Sequence, residues 1–224
     1  MLNSLGRSVL YPLSHVLYRP RIEGKENVPR DGGVIVASNH RSFIDSFAIP
    51  LASPRGVRFL AKEEYWQGKG IGGFLRKGFF TGVGMVPVNR HSPTAAQESL
   101  DAALEVLRAG DAFGIYPEGT RSRDGRLYRG RTGVAWLALT AQVPIVPVGL
   151  IGTEDIQPVG SSFPRIAKVT VRFGTPIGVE EYAGMPAGKA RRLLTDRVME
   201  AIAELSGQER VDEYNEVPNG EPSA

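Results

Sequence analysis

Cysteine is absent from the 224-residue sequence. This absence excludes disulfides, a cysteine nucleophile and thiolate metal ligands, and it fits a protein of a reducing compartment. Long apolar runs are also absent, because no stretch approaches the roughly 20 apolar residues that a membrane-spanning helix needs. The early apolar run at residues 9–13 is not followed by a small-residue cleavage site, so no secretory signal is predicted. We therefore expect a protein without transmembrane helices.

Histidine is scarce, and the three histidines, His15, His40 and His91, lack the spacing of metal ligands. A G-x-S-x-G nucleophile elbow is missing, which argues against a serine hydrolase. Residues 68–73 contain G-x-G-x-x-G, but they follow no clear strand, and no acid stands at the ribose-binding position about 20 residues later. We therefore expect neither a metal nor an organic cofactor.

Positive charge is modest overall but unevenly placed. The formal net charge is +3 and the sequence pI is about 9.3. Arg7, Arg19 and Arg21 precede the first acidic residue, Glu23, and residues 121–131 contain five arginines but one acid. Local positive fields of this kind attract phosphate groups, acidic lipids, an acidic carrier protein or nucleic acid.

The first 22 residues are predicted to form an amphipathic helix. Within residues 3–18, apolar side chains recur at helical spacing while Arg7 lies on another face. Pro12 would kink this helix. A helix with cationic flanks can lie in a membrane interface, but it can equally pack against the core of its own domain, and the pattern leaves both possibilities open.

Residues 23–206 alternate between short strands and helices. Segments bounded by Gly, Pro and polar clusters are predicted as strands at 34–37, 57–61, 83–88, 112–116, 144–150 and 168–173. Helices are predicted over 93–107, after Thr132 and over 187–205. This alternation predicts an α/β fold with a central mixed, largely parallel sheet flanked by helices. Residues 207–224 turn polar and are expected to form a loose tail.

The predicted strand at 34–37 leads into a loop that carries His40, and Asp45 follows five residues later. Residues five apart in a straight helix point away from each other, so these side chains can meet only if His40 lies in the loop and Asp45 in the first helical turn. Ser42 supports that geometry, because Ser42 and Asp45 fit a capping box. The carboxylate could then hold the imidazole tautomer while the other ring nitrogen takes a proton from a hydroxyl. Alternatively, Asp45 only caps the helix and His40 is an ordinary surface histidine.

Three further segments contain predicted strands and the loops that end them. Segment 84–90 ends in Arg90, segment 116–122 reads Tyr-Pro-Glu-Gly-Thr-Arg-Ser, and segment 143–149 reads Val-Pro-Ile-Val-Pro-Val-Gly. Because α/β folds tend to bind ligands at one edge of the sheet, we expect the polar loops to converge there with His40. Guanidinium forks suit a phosphate, and a glycine lets backbone N–H groups approach it. Each arginine taken alone is more often a solvated surface charge.

Together, these segments resemble the four motifs of the glycerolipid acyltransferases, the PlsC-type 1-acylglycerol-3-phosphate acyltransferase family. Residues 39–45 match N-H-x-x-x-x-D, residues 84–90 match the second motif, residues 117–122 the third and residues 143–147 the fourth. Asn89 departs from the pattern, because the family often has an acid there. The N-terminal region also departs, since it has room for about one helix instead of a long membrane hairpin.

The resemblance implies a role for each matching residue. His40 would be the general base that takes the proton from the acceptor hydroxyl, and Asp45 would orient His40 and stabilise its imidazolium. Pro147 would shape the acyl-binding region. Lys62 is our own suggestion for a donor to the developing oxyanion, although a lysine after a strand usually faces solvent. The residues that would build the acceptor site, with the arginines on its phosphate, are Arg90, Glu118, Gly119, Thr120 and Arg121.

The resemblance also implies transfer of a fatty acyl group from acyl-CoA or acyl-carrier protein to the free hydroxyl of 1-acylglycerol 3-phosphate, giving phosphatidate for phospholipid synthesis. It implies a peripheral or monotopic protein at the cytoplasmic side of an anionic membrane surface, and no nucleic-acid partner. The same chemistry on glycerol 3-phosphate, a lysophospholipid or an acylated amino-acid lipid is the first alternative. A non-catalytic lipid-binding protein is the second, but it would not need His40 and Asp45 together.

Overall fold

The chain folds around a mixed sheet. The computed structural model describes residues 12, 15–67, 73, 77–78, 80–81, 84–88, 94–158 and 164–216. The strands within these ranges are β1 (Arg21–Glu23), β2 (Val34–Ser38), β3 (Val57–Arg58), β4 (Leu60–Lys62), β5 (Val86–Val88), β6 (Ala112–Ile115), β7 (Ile145–Ile151) and β8 (Thr170–Phe173). The α-helices whose full bounds lie in the described ranges are α1 (Asp45–Ala52), α2 (Ala95–Arg108), α3 (Gly133–Ala141), α4 (Thr153–Ile156) and α5 (Ala187–Ser206).

Six strands form the main sheet, in the order β1-β8-β7-β2-β6-β3. β2 pairs in parallel with both β6 and β7, and β3 pairs in parallel with β6. β8 runs antiparallel to β7, and β1 is parallel to β8. The expected α/β fold, with a mixed, largely parallel sheet flanked by helices, is confirmed.

β2 is covered on both faces, and all five of its residues are buried. A nearly continuous apolar run is what a parallel strand between two helical layers requires. Ile35 and Ala37 pack in a core with α2, α3 and α5, whereas Val34 and Val36 pack in a second core that includes Ile49 of α1. The loop that follows β2 therefore starts from a rigid point.

The strand expected over 57–61 is in fact two strands in different sheets. β3 joins the main sheet, whereas β4 pairs with β5 in a separate two-stranded sheet. Phe59 lies between them, and its carbonyl accepts a hydrogen bond from the N–H of Val86 at 2.8 Å. Its ring packs so closely on Gly114 that a Cβ added there would lie 2.1 Å from a ring carbon. The apolar pattern cannot reveal this change of sheet, because Phe59 would be buried in either arrangement.

The N-terminal region contains a strand where the sequence predicted only a helix. β1 begins at Arg21, and its three residues carry too little pattern to predict a strand, so its pairing with β8 decides the structure. Residues 15–18 are helical, and most of the expected helix lies outside the described residues. No helix in the described ranges is long and apolar enough to cross a membrane.

The start of the expected C-terminal tail is attached to the folded domain. Leu127 donates its N–H to the carbonyl of Glu209 at 2.8 Å and accepts a hydrogen bond from the N–H of Val211 at 2.9 Å. The expectation of a loose chain is therefore wrong for this part of residues 207–216, since polar composition says nothing about backbone pairing. Residues 217–224 lie outside the described residues.

Candidate active site

The carboxyl ends of β2, β6 and β7 lie at one edge of the sheet, because these strands are parallel neighbours. Asn39 fastens the loop after β2 to the end of β7. Its Oδ1 accepts a hydrogen bond from the N–H of Leu150 at 2.8 Å, and its Nδ2 donates to the carbonyl of Leu150 at 2.9 Å. The two bonds extend the pairing of β2 with β7 by one side chain, so the next residue, His40, starts from a fixed position.

His40 and Asp45 meet at this edge. The Nδ1 atom of His40 lies 2.8 Å from Oδ2 of Asp45. Asp45 is fully buried, and 11% of the His40 side chain is exposed. The side chains can face each other across five positions because the helix begins only at Asp45. With Nδ1 held by a carboxylate, Nε2 is the nitrogen that can take up a proton.

Asp45 also organises the backbone of this loop. Its Oδ2 accepts hydrogen bonds from the N–H groups of Arg41 at 2.7 Å and Ser42 at 2.9 Å. The expected capping box is half formed, because the carboxylate reaches back to the backbone as predicted. The other half is formed only weakly, since the Ser42 hydroxyl accepts a long hydrogen bond of 3.4 Å from the N–H of Ile44 and donates to the carbonyl of Gln157 at 3.0 Å.

Tyr116 is a site residue that the sequence analysis did not assign. Its ring stacks on the imidazole of His40, with the ring centres 3.8 Å apart and the planes 6° from parallel. The Tyr116 hydroxyl lies 2.9 Å from Oγ of Ser46 in α1. Burial, with a contribution from the charge of Asp45, raises the pKa of Tyr116 well above its ordinary value. The one sequence feature that could have indicated Tyr116 as a site residue is its position directly before the Pro-Glu-Gly-Thr-Arg-Ser segment.

Glu118 is a fully buried carboxylate that connects two loops. Its Oε1 accepts a hydrogen bond from the N–H of His40 at 3.1 Å, and its Oε2 accepts one from the N–H of Tyr128 at 3.0 Å. Both oxygens are thus bonded to backbone groups. Glu118 fixes the loop after β2 relative to the loop after β6.

The environment of Glu118 favours its protonated form. Burial raises the pKa of Glu118 from 4.5 to about 7, although the two N–H donors oppose this shift. The negative charges of Asp45 and Asp124 raise the pKa further. The backbone N–H of His40 therefore donates to a second side chain that can bind a proton.

The loop after β6 brings Gly119 and Arg121 to the same edge. Gly119 has a φ of +79°, a backbone conformation that favours glycine, and a Cβ added there would lie 3.0 Å from Nε of Arg131. Arg121 is half-buried, and no acidic side chain in the described ranges pairs with it. The N–H of the next residue, Ser122, donates to the carbonyl of His40 at 2.8 Å.

Two expected site residues lie wholly or partly outside the described part of the structure, and a third lies in the loop after β6. Arg90 lies outside the described residues. Lys62 ends β4, but its side chain lies outside the described part of the structure. Thr120 is half-buried in the loop between Gly119 and Arg121.

Residues 208–215, which we call the C-terminal strap, cross both loops. Oε1 of Gln208 accepts a hydrogen bond from Nδ2 of Asn39 at 2.7 Å, and its Nε2 donates to a carbonyl of the loop after β6 at 2.7 Å. Nδ2 of Asn215 donates to the carbonyl of Arg121 at 3.2 Å. No sequence pattern predicted these contacts, because they join positions 94 and 169 residues apart.

Tyr214 of the strap contacts two arginines of the loop after β6. The guanidinium carbons of Arg129 and Arg131 each lie 5.4 Å from the centre of its ring. Contacts of this kind hold a cation over an aromatic face. Two of the five arginines in residues 121–131 are therefore anchored by the strap.

An apolar cavity of about 290 Å³ lies against α1. One wall includes Ile44, the residue directly before Asp45, together with Phe47 and Ala48. The other walls come from residues 15–22, α4 and the region of β8. Because these walls belong to separate segments of the chain, no local sequence pattern indicated the cavity.

Pro147, which was expected to shape the acyl-binding region, does not line this apolar cavity. It is buried in β7 opposite Ala37 of β2, and it lines a groove of about 750 Å³ against α5. The other lining residues include several glutamates and Arg197. The structure therefore places Pro147 beside a polar groove, away from the apolar cavity.

The acyltransferase family model matches residues 19–151 of the chain. This range contains β1, β2 and the loops that carry His40, Asp45, Glu118 and Arg121. Among solved structures, the chain is similar to that of the 1-acyl-sn-glycerophosphate acyltransferase PlsC from Thermotoga maritima. The two are 25% identical with a TM-score of 0.66, over 91% of this chain and 78% of that one.

Curated relatives carry the same type of name. A 1-acyl-sn-glycerol-3-phosphate acyltransferase from Bacillus subtilis is 28% identical over 190 residues, which cover 84% of this chain and 88% of that protein. A chloroplastic 1-acyl-sn-glycerol-3-phosphate acyltransferase from Arabidopsis thaliana is 34% identical over 153 residues, which cover 68% of this chain. The match spans 40% of the length of that plant protein.

Proposed function

Because the chain belongs to the acyltransferase family, we propose that it transfers a fatty acyl group from a thioester to the free hydroxyl of 1-acylglycerol 3-phosphate, giving phosphatidate. The acyl donor is acyl-CoA or acyl-carrier protein. The observation that carries this proposal is the contact between His40 and the buried Asp45 at the carboxyl edge of the sheet. The names of the bacterial and plant relatives support the acceptor.

In the proposed reaction, His40 is the general base. Nε2 of His40 removes the proton from the acceptor hydroxyl as the oxygen attacks the thioester carbonyl carbon, and a carbon–oxygen bond forms. Asp45 accepts the Nδ1–H bond and stabilises the imidazolium that results. When the carbon–sulfur bond breaks, the imidazolium returns the proton to the leaving thiolate. The two substrates and this pair of side chains supply every group that the reaction needs, so no cofactor takes part.

Arg121 is proposed to bind the acceptor phosphate, together with Arg90. Arg121 lies one residue from the hydrogen bond between Ser122 and the His40 carbonyl, so a phosphate held there lies near the attacked bond. A guanidinium without an acidic partner can offer two parallel N–H donors to a phosphate. Glu118 supports this loop because it accepts a hydrogen bond from the backbone N–H of Tyr128. At Gly119, the absence of a side chain lets the backbone lie close to the side chain of Arg131.

The apolar cavity against α1 is proposed to hold an acyl chain. Its lining is almost wholly apolar, and burial of each methylene stabilises a bound chain by about 0.8 kcal/mol. Ile44 connects this wall to Asp45, so a chain in the cavity ends near the catalytic pair. Because the donor and the acceptor both carry fatty acyl chains, we propose that the protein acts at a membrane surface, on the cytoplasmic side.

Thiol release over a panel of acceptors tests the proposal. We expect faster thiol release with 1-acylglycerol 3-phosphate than with glycerol 3-phosphate, a lysophospholipid or a phosphate-free monoacylglycerol. Arg121→Ala should raise KM for the phosphate acceptor by about 10- to 100-fold, since a charge-assisted hydrogen bond contributes about 1.5–3 kcal/mol. The matched control is Arg108→Ala, at the opposite edge of the sheet, which should change nothing. Equal damage by Arg121→Ala with the phosphate-free acceptor would show that Arg121 does not read the phosphate.

A further inference from the structure

Two strongly exposed apolar side chains lie near the N-terminal ends of neighbouring strands. Val16 is 72% exposed and Ile166 is 75% exposed, more than any other large apolar side chain in the described ranges. Val16 belongs to the helical residues before β1, and Ile166 belongs to the segment before β8. The two segments approach each other where the N–H of Arg21 donates to the carbonyl of Val169 at 2.9 Å.

These segments lie at the same edge of the sheet as the candidate active site. β8 is antiparallel to β7, so Thr170 at its start pairs with Ile151 at the end of β7. Thr170 also pairs with Arg21 at the start of β1. The end of β7 is where Leu150 bonds to Asn39, the neighbour of His40. The exposed apolar side chains and the catalytic pair therefore share one edge.

Cations lie within three residues of each of the two apolar side chains in the sequence. Arg19, Arg165 and Lys168 are exposed and have no acidic partner in the described ranges. One exposed acid, Asp155 of α4, follows the end of β7. An apolar side chain flanked by unpaired cations is the combination by which a surface segment binds an anionic lipid interface.

We propose that residues 164–168 form a second membrane contact beside residues 15–18, so that the protein docks on an anionic phospholipid bilayer at two points. Leu17, Tyr18 and Val169 line the apolar cavity and come from, or adjoin, these two segments. Docking at both points therefore sets the cavity walls against the bilayer. This inference rests on the proposed function in one respect, namely that the acceptor is a membrane lipid.

An acidic carrier protein would also complement the three cations. The bilayer fits better, because the exposed apolar side chains come from two segments that contain or adjoin lining residues of an apolar cavity, and a lipid acceptor must reach that edge from a membrane. Competition between vesicles and acyl-carrier protein distinguishes the two occupants.

Sedimentation of the full chain with phosphatidylglycerol–phosphatidylcholine vesicles tests the second contact. Ile166→Asp should lower the partition coefficient about tenfold, because an apolar side chain leaves the interface and a negative charge replaces it. Leu193→Asp is the matched control, since Leu193 is 43% exposed on α5 and should leave the partition unchanged. The double substitution Arg165→Ala and Lys168→Ala should weaken binding to these vesicles but not to pure phosphatidylcholine.

Unchanged partition of Ile166→Asp, or an equal loss in Leu193→Asp, would overturn the proposal. So would vesicle binding that survives while binding of acyl-carrier protein is lost. Thiol release with a short-chain acceptor in detergent separates this question from the proposed function. Ile166→Asp should retain that turnover, whereas a wild-type protein without turnover would refute the proposed function and leave the vesicle result valid.

Discussion

The loop after β2 and the loop after β6 end at the same edge of the sheet but are held by different interactions. In the loop after β2, His40 and Asp45 are buried, and one carboxylate oxygen accepts bonds from the imidazole and two backbone N–H groups. In the loop after β6, Arg129 and Arg131 are at least partly exposed and rest on one ring of the strap. Glu118 is the buried connection between the two loops.

The difference corresponds to the two tasks that we propose for these loops. Proton transfer needs a fixed geometry in a medium of low dielectric constant, where the attraction between imidazolium and carboxylate is strong. Phosphate binding needs cations that can exchange water for a ligand, so partial exposure is an advantage. We therefore expect substitutions in the loop after β2 to act mainly on kcat, and substitutions around the loop after β6 to act mainly on KM.

The largest effect is expected for His40→Ala. A general base contributes about 10²- to 10⁴-fold, so kcat should fall by that factor while KM for the phosphate acceptor changes little. Thiol release under saturating acceptor measures this loss. Loss of the stacking on Tyr116 should also lower the free energy of unfolding by about 0.5–1.5 kcal/mol, which urea titration can check. If turnover survives in a folded His40→Ala protein, the general base lies elsewhere.

Asp45→Asn is expected to have the next largest effect. The amide oxygen can still accept from the N–H groups of Arg41 and Ser42, but it cannot stabilise an imidazolium as well. A loss of kcat of about 10- to 10³-fold should follow, with the fold retained. Circular dichroism and urea titration would confirm the fold. Intact turnover in this variant would reduce Asp45 to a residue that only organises the loop backbone.

The sequence predicted the loop after β2 better than the loop after β6. The contact between His40 and Asp45 could be predicted because both residues belong to one short segment whose turn brings them together. The stacking of Tyr116 and the bonds of Glu118 to the His40 backbone could not, since they depend on the parallel pairing of β2 with β6. The strap was missed for the same reason, because its polar residues bond to partners 94 and 169 positions away in the sequence.

The expected strand and helix positions show the same limit. β2 and β7 were predicted nearly to the residue, because both strands are covered by apolar residues along their whole length. β1 was missed, since its pairing with β8 comes from residues nearly 150 positions away. Local pattern thus reports how a segment is covered and not which segment it pairs with.

Glu118→Gln should reveal the connection between the two loops through its dependence on pH. The pKa of Glu118 is about 7 in the folded protein against an ordinary 4.5, so the folded state binds a proton that the unfolded chain has released. Its contribution to the free energy of unfolding is therefore greatest at the acidic end and falls as the pH rises to about 7.

The free energy of unfolding of the wild type, minus that of Glu118→Gln, should fall by about 1–3 kcal/mol across this interval. Urea titrations at half-unit steps from pH 5 to pH 8 measure the difference. Asp101→Asn, an exposed position on α2, serves as a control whose difference from the wild type should not follow this curve. A constant difference for Glu118→Gln would show that the carboxylate stays ionised throughout.

The smallest effect is expected for Tyr214→Ala in the strap. At a partly exposed site, an aromatic ring stabilises a cation by about 0.5–1 kcal/mol. Removal of the ring should raise KM for the phosphate acceptor about 2- to 5-fold, because the displaced Arg129 and Arg131 belong to the same loop as Arg121, the proposed phosphate ligand. The value of kcat should not change, because the imidazole of His40 contacts Asp45 and Tyr116, and no hydrogen bond or ring contact joins it to the strap in the described ranges. Tyr214→Phe keeps the aromatic face and should behave as the wild type. A fall in KM for Tyr214→Ala would have the opposite meaning, since it would show that the strap restrains the arginines from the phosphate and competes with the substrate for them.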